Sequence, residues 1–376
     1  MKAAVLGAGG IGSVAARDFA SSLPDWQVTL ADLDLARAKS VSTAHRGGNL
    51  VAARLDAASG EGMVSFLKGF DLVLSALPGS VGFAAAGACV EAGTDLVDVS
   101  FSPEDPFLLD DMARSRGSLL VPDCGVAPGL SNALVGRAVA QLDEVDSVHV
   151  MVGGLPVEPS PPLGYVVTWS VEGLIDEYTR KARLIDNGRM KEVDALTGVE
   201  RIDFPGVGPL DAFLTDGART LFRTVPRVRE MWEKTLRYPG HVEVMSALRD
   251  LGLFDEKPRE VDGVEVVPRR LTARLLEETL RVPGAEDLLA MRVEVSGRGG
   301  GTHRRFENFV LDYFDRATGT TAMARTTAFT ASVVAQQVAM GNIEGSGVLT
   351  PEEIGMKADA FDRLIQGLGA RGVRVR

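Results

Sequence analysis

Gly7, Gly9 and Gly12 stand in the spacing G-x-G-x-x-G, and Asp32 follows twenty residues after the last of them. Residue types at these intervals suit a dinucleotide. Gly7 permits a tight turn off a strand, Gly9 lets a pyrophosphate approach the bare backbone, and Gly12 lets the next helix pack close to that strand. Gly10 and Ile11 open the helix, whose N-terminus directs unpaired N–H groups and the positive end of its dipole at phosphates. Asp32 can accept hydrogen bonds from both ribose hydroxyls and would repel a 2′-phosphate, so NAD is favoured over NADP. Arg37 is near enough in sequence to swing toward such a phosphate. Asp56 ends a later strand and reads either as a residue at the adenine edge or as a helix cap. Ala76, Leu77 and Pro78 follow another strand, where a bound cofactor is expected to pass.

Other residues suit proton and charge chemistry. Asp98 and Asp123 both end expected strands on the cofactor's side, as proton acceptors or as caps of the segments that follow. Thr215 and Asp216 precede Gly217 at a turn. His241 follows the turn sequence 238–240 and reads equally as a proton shuttle near neutral pH or as a helix-capping histidine. Arg180, Arg219 and Arg237 are candidate anchors for a carboxylate, which the planar guanidinium can hold bidentately. Cys89 and Cys124 lack metal-ligand spacing, and Cys124 reads as a packing residue. His45, His149 and His303 have no partner pattern, so no metal site is expected.

These residues need a scaffold. Short apolar runs at 3–6, 27–32, 50–55, 71–77, 95–99 and 118–121 read as strands, and helical stretches at 13–21, 35–42, 61–68, 81–92 and 106–116 separate them. That alternation, with short connections, predicts an α/β fold with a Rossmann-type doubly wound parallel sheet. A helix is expected over 130–142 and a strand over 147–152, broken at 153–154. A long irregular middle follows, with strands at 264–267 and 289–295 and a hairpin of 292–296 with 305–312. The apolar stretch 327–340 reads as a buried helix packed back on the first domain. The expected division is a dinucleotide-binding domain of 1–124 rejoined by 326–376, and a mixed α/β catalytic and dimerisation domain of 125–325.

A chain of 376 residues accommodates two domains, and 45% hydrophobic with 24% charged residues is ordinary for a globular protein. The net charge of −11 argues against nucleic acid or an anionic membrane as partner. Two distant cysteines suggest a reducing compartment, and no signal-peptide or membrane-span pattern is apparent, so a cytoplasmic location is expected.

The stretches at 7–12, 98–101, 122–132, 177–180, 214–217 and 234–241 resemble the saccharopine dehydrogenase-like family over nearly the whole chain, most of all its lysine 6-dehydrogenase branch. Phe101 stands where saccharopine-forming members often carry Tyr, and Lys181 where lysine dehydrogenases tend to have Pro. The resemblance implies NAD-dependent oxidative deamination of the side-chain amine of L-lysine, in a homodimer or higher homo-oligomer. It implies roles for Asp98, Asp123 or His241 in proton transfer. Phe101, Arg180, Thr215, Asp216 and Arg237 would bind the amino-acid substrate. Asp123 is the expected base, at the junction of the two domains, with Asp98 orienting the amine. Reductive condensation to a secondary amine, of the saccharopine or carboxynorspermidine type, is the alternative. A non-catalytic NAD-binding redox sensor is a third reading, of another class.

Overall fold

The computed structural model describes residues 1–225 and 227–376. The first part of the chain alternates strand and helix: β1 (Lys2–Leu6), α1 (Gly10–Ser22), β2 (Gln27–Asp32), α2 (Leu35–Ala44), β3 (Leu50–Arg54), α3 (Gly60–Leu67), β4 (Leu72–Ser75), α4 (Gly79–Ala92), β5 (Asp95–Asp98), a 3₁₀ turn (Pro106–Leu109), α5 (Asp110–Arg116), β6 (Leu119–Val121) and α6 (Leu130–Val139). The middle contains β7 (Glu144–Pro156), α7 (Val171–Thr179), β8 (Ala182–Asp186), β9 (Arg189–Val193), β10 (Glu200–Phe204), β11 (Gly208–Thr215), α8 (Leu221–Thr224), β12 (Glu230–Arg237), α9 (His241–Asp250), β13 (Arg259–Val261), β14 (Val264–Val266), α10 (Pro268–Leu280), β15 (Asp287–Gly299) and β16 (Thr302–Tyr313). The chain ends with α11 (Ala322–Ala339), β17 (Gly347–Val348), α12 (Pro351–Met356) and α13 (Ala358–Ala370). It divides into two compact units, residues 1–140 with 324–374, and 141–323 with 375–376.

The first unit is built on a seven-stranded sheet in the order β17-β6-β5-β4-β1-β2-β3, with every pairing parallel. Parallel strands covered on both faces must be apolar throughout. Ala4, Val5 and Leu6 of the central β1 are accordingly inaccessible to solvent. The order reverses between β1 and β4, the switch point beside which ligands of such sheets bind. The returning helices are tied to α1: Ser332 Oγ donates to Asp18 at 2.6 Å and Arg371 Nε donates to it at 2.7 Å. The boundary falls at residue 140 rather than 124 because α6 packs on α12. A Cβ at Gly136 would stand 1.9 Å from the Glu352 carbonyl oxygen, and one at Gly355 2.0 Å from that of Ala133.

The second unit carries an eight-stranded sheet with the path β10-β11-β12-β7-β15-β16, and β8 pairs with β12 and β9. It is mixed, since β7 and β12 run parallel and the other pairs are antiparallel. The expected break at 153–154 is absent. β7 runs through both glycines, and a Cβ at Gly153 would stand 2.5 Å from the Leu236 carbonyl oxygen of β12. The expected hairpin is present as β15 and β16, turning at Gly300 and Gly301 with φ of +60° and +79°. Side chains of α7, α9 and α10, among them Tyr178, Met245 and Leu276, form a core with Phe213 of β11.

Candidate active site

The glycine loop is shaped by contacts that exclude side chains. Gly7 has φ +91°, and a Cβ there would lie 2.6 Å from the Ala76 carbonyl oxygen; one at Gly12 would lie 1.9 Å from the Gly7 oxygen. The end of β4 is therefore pressed against the loop, which brings Ala76, Leu77 and Pro78 beside it. Gly9 and Gly10 have no protein atom within 4 Å of the Cβ they lack. Nothing within the chain demands glycine there, whereas a pyrophosphate laid on the backbone would. Gly9 is the N-cap of α1 and no side chain caps that helix. Asp32 accepts from the Ala8 N–H of the loop at 2.6 Å and from Asp34 N–H at 2.7 Å, which fixes its carboxylate at the end of β2. These residues fit a nicotinamide dinucleotide. Asp56 is exposed and accepts from Ala58 N–H at 3.0 Å, a turn leading into α3.

Asp98 and Asp123 are both buried in the first unit, 5% and 3% exposed. Asp98 Oδ1 accepts from Ser100 N–H at 3.1 Å and Ser100 Oγ–H at 2.8 Å. Burial pushes the Asp98 carboxyl up to about 7, against the Ser100 and Ser75 hydroxyls that hold it down; the charge of Asp123 adds to the rise. The main chain links the two acids, because Cys124 N–H donates to the Asp98 carbonyl at 2.7 Å. Asp123 has φ +51°, a left-handed conformation that asparagine and aspartate tolerate better than most side chains. The loop bearing Ser100 and Phe101 rests on α4, where a Cβ at Gly79 would stand 2.4 Å from the Phe101 carbonyl oxygen. Cys89 and Cys124 are buried and their thiols are held well above the usual range, first by burial and then by nearby carboxylate charge.

In the second unit Arg237 lies at the centre of a buried network and is 2% exposed. It donates to Glu177 at 2.6 Å, to the Leu236 carbonyl at 2.9 Å and to Tyr178 Oη at 3.4 Å, and it lies 4.6 Å from the Tyr165 ring centroid. Its guanidinium is occupied by the fold. Arg180 is a quarter exposed, 3.2 Å from Asp176, which Arg269 also holds at 2.5 Å. His241 is the buried first residue of α9. Its Nδ1 lies 2.9 Å from the Leu163 carbonyl, so Nδ1 carries the proton and Nε2 accepts from Tyr178 Oη at 2.7 Å. Burial and then the charge of Arg237 push it down to about 3. It is neutral at pH 7 and neither caps a helix nor titrates in the shuttle range, contrary to both sequence expectations. Arg219 has φ +49° and is 9% exposed.

Asp216 is held bidentately by Arg183 at 2.8 and 3.0 Å. Thr215 faces Glu233 across the β11–β12 ladder. Thr215 Oγ1 donates to Glu233 Oε2, and Gly217 N–H donates to the same oxygen at 3.0 Å. Thr235 Oγ1 lies 2.9 Å from Thr215 Oγ1. Burial pushes Glu233 up to about 7, and the charges of Glu177 and Asp216 add to the rise while Thr215 and Gly217 oppose it. Sequence reading gave no role to Glu233, Tyr178 or Ser75. Only the alternation Met231, Glu233, Thr235, Arg237 along one strand face hinted at a polar row. Among the described residues no group of histidine, cysteine or acidic side chains could hold a metal ion, and no helix is long and apolar enough to cross a membrane.

Comparison with known proteins matches two family models to this chain: the saccharopine dehydrogenase C-terminal domain over residues 125–373 and the saccharopine dehydrogenase NADP binding domain over residues 3–120. Carboxyaminopropylagmatine dehydrogenase of Synechocystis is 24% identical over 96% of this chain and 94% of its own length. Alpha-aminoadipic semialdehyde synthase of Arabidopsis thaliana is 27% identical over 63% of this chain. An L-glutamate-forming saccharopine dehydrogenase of Schizosaccharomyces pombe is 25% identical over 55% of it. The matched stretches span only 23% and 49% of the length of these last two. Apo saccharopine dehydrogenase from Saccharomyces cerevisiae superposes with a TM-score of 0.80 at 19% identity, covering 100% of this chain and 98% of that one, and so shares the fold.

Proposed function

Because the chain belongs to the saccharopine dehydrogenase family, we propose that it is an NAD-dependent amine dehydrogenase that oxidises the side-chain amine of L-lysine. Water and NAD are consumed; ammonia, NADH and 2-aminoadipate 6-semialdehyde are released, and the semialdehyde cyclises to a six-membered imine. The observation that carries this reading is the pair of buried acids, Asp98 and Asp123, of which Asp98 is poised near 7. Oxidising an amine needs an ammonium to lose its proton before hydride leaves, and a base works best when its pKa lies near the working pH. A nicotinamide dinucleotide held at the glycine loop would supply the hydride acceptor for this oxidation.

In this scheme Asp98 takes the proton, rather than Asp123 as the sequence suggested, and the charge of Asp123 pairs with the arriving ammonium. Water then adds to the iminium carbon, and Asp98 returns its proton as ammonia departs. Arg180, a quarter exposed beside Asp176, is the proposed anchor for the substrate carboxylate, because Arg237 is 2% exposed and held by Glu177 and Tyr178. Preference for NAD rests on Asp32. A second reading is favoured by the Synechocystis relative, whose name denotes a carboxyaminopropylagmatine dehydrogenase and which aligns with nearly the whole chain. In it the amine condenses with an oxo group and is reduced to a secondary amine. NADH appearing with lysine as the only substrate supports the first reading. NADH disappearing with lysine plus a 2-oxo acid supports the second. NAD binding with neither activity marks a non-catalytic protein.

A further inference from the structure

The helix α10 in the second unit carries leucines on two sides. Thr272, Ala273, Leu276 and Leu280 are buried, and the last three pack with α7 and α9. Leu271 and Leu275 stand on the outside, 51% and 53% exposed. Residues four apart share one face of a helix, so these two form an apolar ridge. A helix with only its own core to satisfy places polar residues on that side.

The charges along α10 are set against the helix's own field. Arg269 and Arg270 lie in its first turn and Glu277 and Glu278 in its last, with no acid in the first turn and no base in the last. A helix dipole favours the reverse arrangement. Arg269 is turned toward α7, 2.5 Å from Asp176, and Glu277 pairs with Arg281. Arg270, Arg274 and Glu278 stay on the solvent side. Arg270 is exposed, and Arg274 meets Glu278 at 2.7 Å with both side chains more than half in solvent. A cation placed N-terminal to its acid is the weaker order for such a pair. These charges gain little within one helix, and they gain most from a neighbouring helix of the same sequence running the other way.

We propose that the outer face of α10 is a contact between two copies of this chain, paired antiparallel about a two-fold axis. An axis through the middle of a helix sets it against its own reversed image. With Leu271 of one copy against Leu275 of the other, Glu278 of each copy falls within a helical turn of Arg270 of the other, at both ends of the contact. The two dipoles then run in opposite directions. A parallel pairing would set arginine against arginine. The chain carries a net charge of −11, so two copies repel over most of their surface. This face, with two arginines and one glutamate beside its leucines, is one where they can meet. A helix of 13 residues is about 20 Å long, so the contact lies at the small end of specific interfaces and forms at micromolar concentration.

Sedimentation velocity of the full-length protein at about 1 to 200 µM tests this. The weight-average mass of the wild type should rise with concentration. Leu275→Glu changes an exposed side chain and should keep the wild-type melting temperature. It should raise the concentration for half-association about 10-fold or more, because an acid is then pressed against Leu271 of the other copy. Arg270→Glu and Glu278→Arg should each self-associate less than the wild type. A mixture of those two variants should associate more strongly than either alone, because only the mixed pair sets opposite charges against each other at both ends. That rescue by mixing is a result that a merely structural role for either residue would not give. A wild-type mass that stays constant over this range overturns the proposal. So does Leu275→Glu associating as the wild type does, or a mixture that behaves as the sum of its components.

Discussion

Asp98→Asn should change how stability depends on pH, and the size of the change follows from burial. The carboxyl rises from 3.8 to about 7 in the fold. Between those values the folded protein keeps a proton that the unfolded chain has released. Linkage therefore lowers stability as pH rises through this window, with the contribution complete below 3.8 and gone above about 7. A window roughly 3 pH wide, at about 1.4 kcal/mol each, gives a loss on the order of 4 kcal/mol. Asparagine retains a carbonyl oxygen for the Ser100 N–H and hydroxyl, and the Ser75 hydroxyl can turn to accept from the new amide. It does not titrate. Urea unfolding of both proteins at a series of pH values should therefore give a curve for the variant that declines less, so that it gains on wild type as pH rises. Glu233 titrates in the same sense in both proteins and cancels in the difference. Parallel curves for wild type and variant would refute the burial argument, and with it the case for Asp98 as a base poised near neutrality. Turnover gives the second arm: the variant should lose about 10²- to 10⁴-fold in kcat, the range for a general base, with NAD affinity unchanged.

Other substitutions separate binding, chemistry and packing. Gly12→Ala places a methyl 1.9 Å from the Gly7 oxygen, so the turn must open; a fluorescence titration should find NAD binding largely lost. Replacing Asp32 with alanine should narrow or reverse the preference for NAD over NADP, and equal affinity of the wild type for both would remove Asp32 from its role. Arg180→Ala should raise the KM for lysine about 10- to 150-fold with little change in melting temperature, as expected for a lost charge-assisted bond to a carboxylate. Arg237→Ala leaves Glu177 without its cation and should destabilise the fold by about 3–5 kcal/mol in urea unfolding; a stable variant with only a raised KM would return Arg237 to the anchor role.

Six of the seven strands of the first unit were legible as short apolar runs, and Gly7, Gly12 and Asp32 act within one βαβ stretch; β17, two residues long, and the helices α12 and α13 were not foreseen. The second unit hid its sheet. Gly153 and Gly154 look like a break in the sequence, but Gly153 is demanded by the close approach of β12, a contact between residues more than eighty apart. Glu233 reads alone as any polar residue on a strand. It becomes conspicuous only when the β11–β12 register sets Thr215 opposite it and Gly217 N–H upon it. Arginine shows the same limit. Arg180 and Arg237 are alike in sequence, and only burial and the positions of Asp176 and Glu177 distinguish a partly exposed cation from a fully buried one. His241 misled for a related reason: its pKa is lowered by burial and then by the charge of Arg237, against the Leu163 carbonyl that holds it up, none of which its neighbours in the sequence announce.

The central claim is that the side-chain nitrogen of lysine leaves as ammonia while NAD is reduced. L-Lysine carrying heavy nitrogen only on its side-chain amine tests it most directly, incubated with the protein and NAD and followed by mass spectrometry of the ammonia and absorbance of NADH. The account predicts labelled ammonia and NADH in equal amounts, with the unlabelled α-nitrogen retained in the cyclic imine. Unlabelled ammonia, or label retained in a secondary amine formed only when an oxo acid and a reduced cofactor are supplied, would contradict it.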